Sequence, residues 1–192
     1  MLDTRDYLAQ LAALLPRIPQ DQIDLAQQAL RSAWHDGRTI LFLGNGGSAA
    51  TASHLVCDFA KGLNAPGRPR PRVLAVTDNV PLITAYANDV SYECVFAEQV
   101  AGLVRDGDVV VAISGSGNSP NVIAAVHTAK ELGALTIGLT GFSGGRLGPL
   151  VAIPIIVPSD NMQLIEDAHM AIGHALFSVL RDIGPGAPAS QG

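Results

Sequence analysis

The sequence of 192 residues is thinly charged: only 15% of it is Asp, Glu, Lys or Arg, against about 25% in an average soluble domain. Part of its surface is therefore expected to lie under partner subunits. A basic excess is also missing, with 12 Lys+Arg against 17 Asp+Glu and a formal charge of −5. Duplex-binding surfaces carry the opposite balance, so nucleic acid is not expected as the main ligand. Two cysteines, Cys57 and Cys94, make no disulfide framework and suit a reducing compartment. No apolar run approaches the roughly 18 residues of a membrane span, and the greasiest stretch, LVAIPIIV, is broken by Pro154. Asp3 and Asp6 stand where a secretory leader has positive charge. A cytoplasmic protein with no membrane partner is expected.

What is present in quantity is hydrophobic residues, 48% of the chain, enough for a core and too many for disorder. The length fits one domain with short attachments. Residues 1–36 read as two helices, 2–15 and 21–35, separated by Pro16 and Pro19. Ile23, Ala26, Leu30 and Trp34 fall near helical spacing, so these helices must lie on the domain or on another subunit. Residues 37–183 alternate strand and helix. Strands are predicted at 39–44, 72–76, 108–114, 135–140 and 151–157. Helices are predicted at 48–63, 80–87, 92–103, 120–132 and 162–180. The uniformly apolar strands must be covered on both faces, which indicates a parallel sheet. The expected fold class is therefore α/β, a three-layer α/β/α sandwich, with Pro154 placing the fifth strand at an edge. Residues 184–192 hold nothing to bury and are expected to form a disordered tail. The loop NAPGRPRPR (64–72) reads as a solvated basic segment.

Two glycine-rich turns follow strands and open helices. In Gly44-Asn45-Gly46-Gly47-Ser48 the glycines let the backbone come close to a ligand, and the helix N-terminus offers unpaired N–H groups to an anion. The turn lacks the spacing of a dinucleotide fingerprint and the lysine of a triphosphate loop. Ser114-Gly115-Ser116-Gly117-Asn118-Ser119 brings three hydroxyls and an amide with no cation, a set suited to ringing a phosphate monoester. Both turns fall at the carboxyl ends of parallel strands, where such sheets bind ligands. One small phosphorylated molecule held between them is the reading they support.

His54 and Asp58 are four apart on one helical face among apolar neighbours. A mutual hydrogen bond, an acid/base pair and a metal pair are the three readings of this arrangement. The last helix carries Glu166, Asp167, His169 and His174. Glu166 and His174 are separated by about 12 Å along the axis and roughly 80° around it, whereas Glu166 and His169 are neighbours. A transition-metal site from His54, Asp58, Glu166 and either histidine is chemically sound. His35 and His127 read as surface residues. Asn88-Asp89 reads either as a cap or as a polar pair aimed at a sugar hydroxyl.

The order GNGGSA, His-x-x-x-acid, AND, SGSGNSPNVI, LTGFSGG and an acid- and histidine-bearing last helix resembles the sugar isomerase (SIS) domain. Within it, the sequence looks like the phosphoheptose isomerases, which act on sedoheptulose 7-phosphate. The resemblance spans residues 21–180. It implies a five-stranded flavodoxin-like parallel sheet, a homotetramer and active sites shared between subunits. It places the sugar phosphate on Ser48, Ser114, Ser116 and Ser119, and the rest of the sugar on Asn45 and Asp89. Gly46, Gly47, Asn88, Gly115 and Asn118 complete the implied substrate-binding set. The family's catalytic glutamate falls on Asp58 and its catalytic histidine on His174. Its zinc ligands fall on His54, Asp58, Glu166 and His174.

Three departures stand out. Asp58 is one methylene shorter than the family's glutamate, Glu166 replaces an amide, and Gly62 stands where the family has an arginine. The implied reaction is aldose–ketose isomerisation through an enediol, with Asp58 or Glu166 as carbon base and His174 as proton donor. A non-catalytic adaptor for a replication initiator protein and a sugar-phosphate sensor are the rival readings on the same fold.

Overall fold

A computed structural model describes residues 3–185. Helix α1 (Thr4–Leu14) opens on a capping box. The Asp3 carboxylate accepts from the Asp6 N–H at 2.8 Å, and the Asp6 carboxylate accepts from the Asp3 N–H at 3.3 Å, so two donors that a helix start leaves open are satisfied. A 3-10 turn (Leu15–Arg17) containing Pro16 ends it, and α2 (Gln20–His35) begins after Pro19. Ala26, Leu30, Ala33 and Trp34 of α2 are buried in one core with the sheet, so α2 lies on the domain itself. The Tyr7 hydroxyl of α1 donates to Asp167 at 2.6 Å. That bond, then desolvation and the carboxylate charges of Asp167 and Glu166, pushes the phenol up to about 12.

Strand and helix then alternate: β1 (Thr39–Gly44), α3 (Gly47–Cys57), β2 (Arg72–Ala75), α4 (Val80–Asp89), α5 (Ala97–Leu103), β3 (Val109–Ile113), α6 (Pro120–Glu131), β4 (Leu135–Thr140), β5 (Ile153–Ile156) and α7 (Met162–Ile183). All pairings are parallel, in the order β2-β1-β3-β4-β5. This is the flavodoxin-like order, whose direction reverses between β1 and β3. Every residue of β1 and β3 is buried. Ile40, Phe42, Val111 and Ile113 face α2, α3 and α7, while Leu41, Leu43, Val110 and Ala112 face α5 and α6, as the two-residue period of a strand requires. Pro154 lies in β5, which among the described residues pairs only with β4, so the missing N–H breaks no ladder.

The elements depart from the sequence pattern in a few places. The helix expected at 48–63 leaves α-geometry after Cys57 and continues as a π-helical turn, Asp58–Gly62. The helix expected at 92–103 begins only at Ala97, because residues 92–96 are spent on turns. The strand expected at 151–157 shortens to Ile153–Ile156, since the Val151 N–H turns back to the Leu147 carbonyl. Of the tail, Gly184 and Pro185 are described, and Gly184 closes α7 at φ +69. The disorder expected at 186–192 lies outside the described residues. Helix α4 buries none of its residues. It flanks an apolar groove of about 450 Å³ lined by Leu74, Val76, Leu82, Tyr86 and Leu103. Among the described residues, no helix is long and apolar enough to cross a membrane.

Candidate active site

The β1–α3 and β3–α6 turns meet beside the point where strand order reverses. Asn45, Ser48, Ser114, Ser116, Ser119 and Glu166 line a cleft of about 150 Å³. Gly46, at φ +54, swings the chain into α3. Gly47 lets the Glu166 carboxylate lie over the start of α3, where an added Cβ would stand 2.8 Å from its Oε1; a negative group there meets the positive end of the helix. At Gly115 the Met162 sulfur occupies the space that a Cβ would need. Ser114 and Ser119 hydroxyls are 3.2 Å apart. Asn118 is spent on the turn, donating to the Ser116 carbonyl at 3.0 Å and accepting from the Arg146 N–H at 3.1 Å. A larger cleft of about 650 Å³ lies between α1 and the segment entering α7, lined by Arg17, Phe142 and Asn161 among others. It contains none of the turn serines and none of the histidines, so the chemistry points to the smaller one.

Further along the same two helices lies the ionisable cluster. His54 Nε2 is 2.9 Å from His174 Nε2, and both face Asp58 Oδ2, at 3.3 and 3.5 Å. The donor atoms lie within 4.8 Å of one another. Both imidazole side chains are 48% exposed and Asp58 26%, so the cluster opens to solvent on one side. Glu166 is not part of it. The ligand set expected as His54, Asp58, Glu166 and His174 is gathered as three of the four. Glu166 sits at the serine cleft instead, because eight residues of α-helix separate it from His174 by about 12 Å.

His169 points into the core. Its Nε2–H donates to the Thr140 carbonyl at 3.1 Å, while its Nδ1 and the Thr140 hydroxyl are buried without partners among the described residues. Burial pushes this imidazole down to about 4, against a weaker upward pull from the bond to Thr140. Asn88 and Asp89 are exposed and bond each other at 2.8 Å, outside the cleft of their own chain. Sequence reasoning missed Asn121 and Tyr92, whose side chains bond Asn45.

Residues 6–141 match the family model described as the SIS domain, more than half of the chain. The chain belongs to the SIS domain family. It is 40% identical over 190 residues to the phosphoheptose isomerase of Solidesulfovibrio magneticus, an alignment covering 93% of this chain and 92% of that protein. The solved phosphoheptose isomerase of Neisseria gonorrhoeae superposes with a TM-score of 0.84 at 31% identity, covering 92% and 93% of the two chains. That of Francisella tularensis gives 0.83 at 32%, covering 94% and 100%. The chain thus falls on the phosphoheptose isomerase branch of the SIS family.

Two departures from that branch acquire a physical setting in this SIS domain. Asp58, though short, begins the π-helical turn and still reaches both imidazoles; such turns commonly mark functional positions. Gly62 ends the same turn. A Cβ there would stand 2.5 Å from the Phe177 ring, so the place of the family's arginine is closed by an aromatic. Phe177 packs on Phe59 at 6.0 Å and carries the Arg181 guanidinium at 5.5 Å.

Proposed function

We propose that the protein is an aldose–ketose isomerase of a sugar phosphate, with sedoheptulose 7-phosphate as the first substrate to test. The observation that carries this reading is the pairing of two sites by the same two helices. A cation-free hydroxyl cleft and an imidazole–carboxylate cluster are separated by six residues of α3, about 9 Å, a gap that an extended monosaccharide phosphate bridges. Ser48, Ser114, Ser116 and Ser119 donate hydroxyl hydrogens to the phosphate, and the N-termini of α3 and α6 add their field. Asp58 takes the proton from the carbon beside the carbonyl, and His174 delivers one to the oxygen. Glu166 accepts from sugar hydroxyls at the wall of the cleft. Fixing the phosphate first makes the proton transfer effectively intramolecular.

The donor set fits a divalent transition metal, zinc before others. Two imidazole nitrogens and one carboxylate oxygen from two helices are a three-ligand set of the kind that leaves a catalytic position open. Their separations of 2.9 to 3.5 Å bracket the about 3.3 Å edge of a tetrahedron built on bonds of about 2.0–2.1 Å. When bound, the ion would supply positive charge for polarising a carbonyl. With an ion held there, His174 Nε2 and Asp58 Oδ2 would be occupied as donor atoms along with His54 Nε2, so the proton relay and the metal-assisted reaction are alternatives that chelation separates.

A homotetramer with active sites shared between subunits belongs to the same proposal. It is supported by the apolar α4, which rests Ile83, Tyr86 and Ala87 on the core but buries none of its residues fully, and by Asn88 and Asp89, which are exposed and do not line the cleft of their own chain.

Elemental analysis of untagged protein and carbon-bound proton exchange in deuterated water, before and after chelation, test the reading together. Metal near one per chain, with exchange lost on chelation and restored by zinc, supports a metal-assisted isomerase. Exchange that survives chelation supports plain acid/base catalysis. With neither metal nor exchange on any seven-, six- or five-carbon sugar phosphate, the isomerase fails and a sensor or adaptor takes its place.

A further inference from the structure

Asn121, the second residue of α6, is 2% exposed, and a buried amide needs partners for its donors and acceptors. It finds them on the opposite turn. Its Nδ2 donates to Asn45 Oδ1 at 2.9 Å, and its Oδ1 accepts from Asn45 Nδ2 at 2.8 Å. A reciprocal amide pair of this kind could be reversed end for end without losing either bond. The Val122 backbone N–H removes that freedom, because it donates to Asn121 Oδ1 at 3.0 Å and a backbone N–H is never an acceptor. With Asn121 oriented, the Asn45 atom facing its NH₂ must be oxygen. That oxygen accepts a second bond, from the Tyr92 hydroxyl at 3.1 Å, which fills its two lone pairs. Asn45 is left with one Nδ2–H that has no protein partner among the described residues, on a side chain that lines the serine cleft.

We infer that Asn121 is a positioning residue that holds Asn45 as an obligate hydrogen-bond donor, so that this point of the cleft accepts a phosphate or carbonyl oxygen and rejects a hydroxyl hydrogen. The same bonds pin the β1–α3 turn to the β3–α6 turn and set the width of the cleft. The inference rests on the reading of that cleft as the phosphosugar site, and its test is arranged to fail separately.

Asn121→Asp keeps the acceptor for Val122 and Asn45 but places an oxygen against Asn45 Oδ1. Tyr92→Phe acts at a side chain 56% exposed and reopens one lone pair of Asn45 without touching the core. Both are compared with the unaltered protein for sedoheptulose 7-phosphate turnover and for binding of inorganic phosphate by calorimetry. Asn121→Asp is expected to raise KM about tenfold, with kcat changed less than about threefold, because a lost ground-state contact is lost equally in the transition state. Phosphate affinity should fall by the same factor. Tyr92→Phe should shift both by a smaller factor with the melting midpoint unchanged. If Asn121→Asp does not fold, the Tyr92→Phe shift alone decides. A folded Asn121→Asp with unchanged KM and unchanged phosphate affinity overturns the inference, as does a fall confined to kcat. If the unaltered protein turns over no sugar phosphate, the isomerase reading fails, and the phosphate-binding arm still decides the role of Asn121.

Discussion

At the scale of single residues, three ionisable side chains divide the labour by where they point. Asp58 and His174 meet at 3.5 Å and are partly exposed, so replacing them is expected to leave the packing intact. Asp58→Asn and His174→Asn are each expected to reduce carbon-bound proton exchange by at least about 100-fold, with melting midpoints close to the unaltered protein. A midpoint that falls along with activity would place these residues in the scaffold. His169 is the opposite case, neutral in the core with its pKa pushed down to about 4. The unfolded chain takes up the proton first, near pH 6.5. Its contribution is therefore complete above that pH and is lost as the pH falls toward about 4, amounting to about 3 kcal/mol. His169→Gln keeps a donor for the Thr140 carbonyl without a titrating group. Urea unfolding between pH 7 and pH 4 should show a shallower loss of stability in that variant, and parallel curves would refute the assignment.

The elements show which physical signals a sequence displays. β1 and β3 were legible because burial on both faces leaves no polar alternation, and Pro154 marked the edge because a central strand needs its N–H. The serine turns were legible because glycines and hydroxyls cluster where strand gives way to helix. The π-helical turn was not, since a change of hydrogen-bond partner along a helix leaves no mark on residue identity. Nor was the role of Asn121, which follows Pro120 and reads as an ordinary helix opening until Asn45 is brought opposite. Donor chemistry and likeness to relatives both put Glu166 with the histidines, and the fold lines the serine cleft with it, eight residues and about 12 Å along α7 from His174. The π-helical turn also yields a prediction of its own. Gly62→Ala brings a methyl group against Phe177 and is expected to destabilise the fold by about 1–3 kcal/mol. Combining it with Phe177→Ala should recover part of that loss in urea unfolding. Simple additivity would mean that the two positions do not touch.

The whole molecule carries an apolar surface that its own fold leaves open. Val80, the first residue of α4, is 61% exposed, and Leu103, which lines the groove beside α4, is 46% exposed. Light scattering at micromolar concentration is expected to report a tetramer, and Val80→Glu with Leu103→Arg to shift it toward smaller species. A stable particle of one chain, near 20 kDa, would remove the shared active site. The histidine contact has a further consequence, in time. His54 and His174 lie 120 residues apart, and parallel strands cannot form hairpins, so every pairing waits for a crossover. On a ribosome, β1, β3 and both serine turns are synthesised well before α7. A nascent chain can therefore shape the surface proposed to hold a phosphate while still lacking His174, one half of the proposed proton relay. On that proposal grip comes before chemistry, and a chain halted before its last helix is expected to be inert.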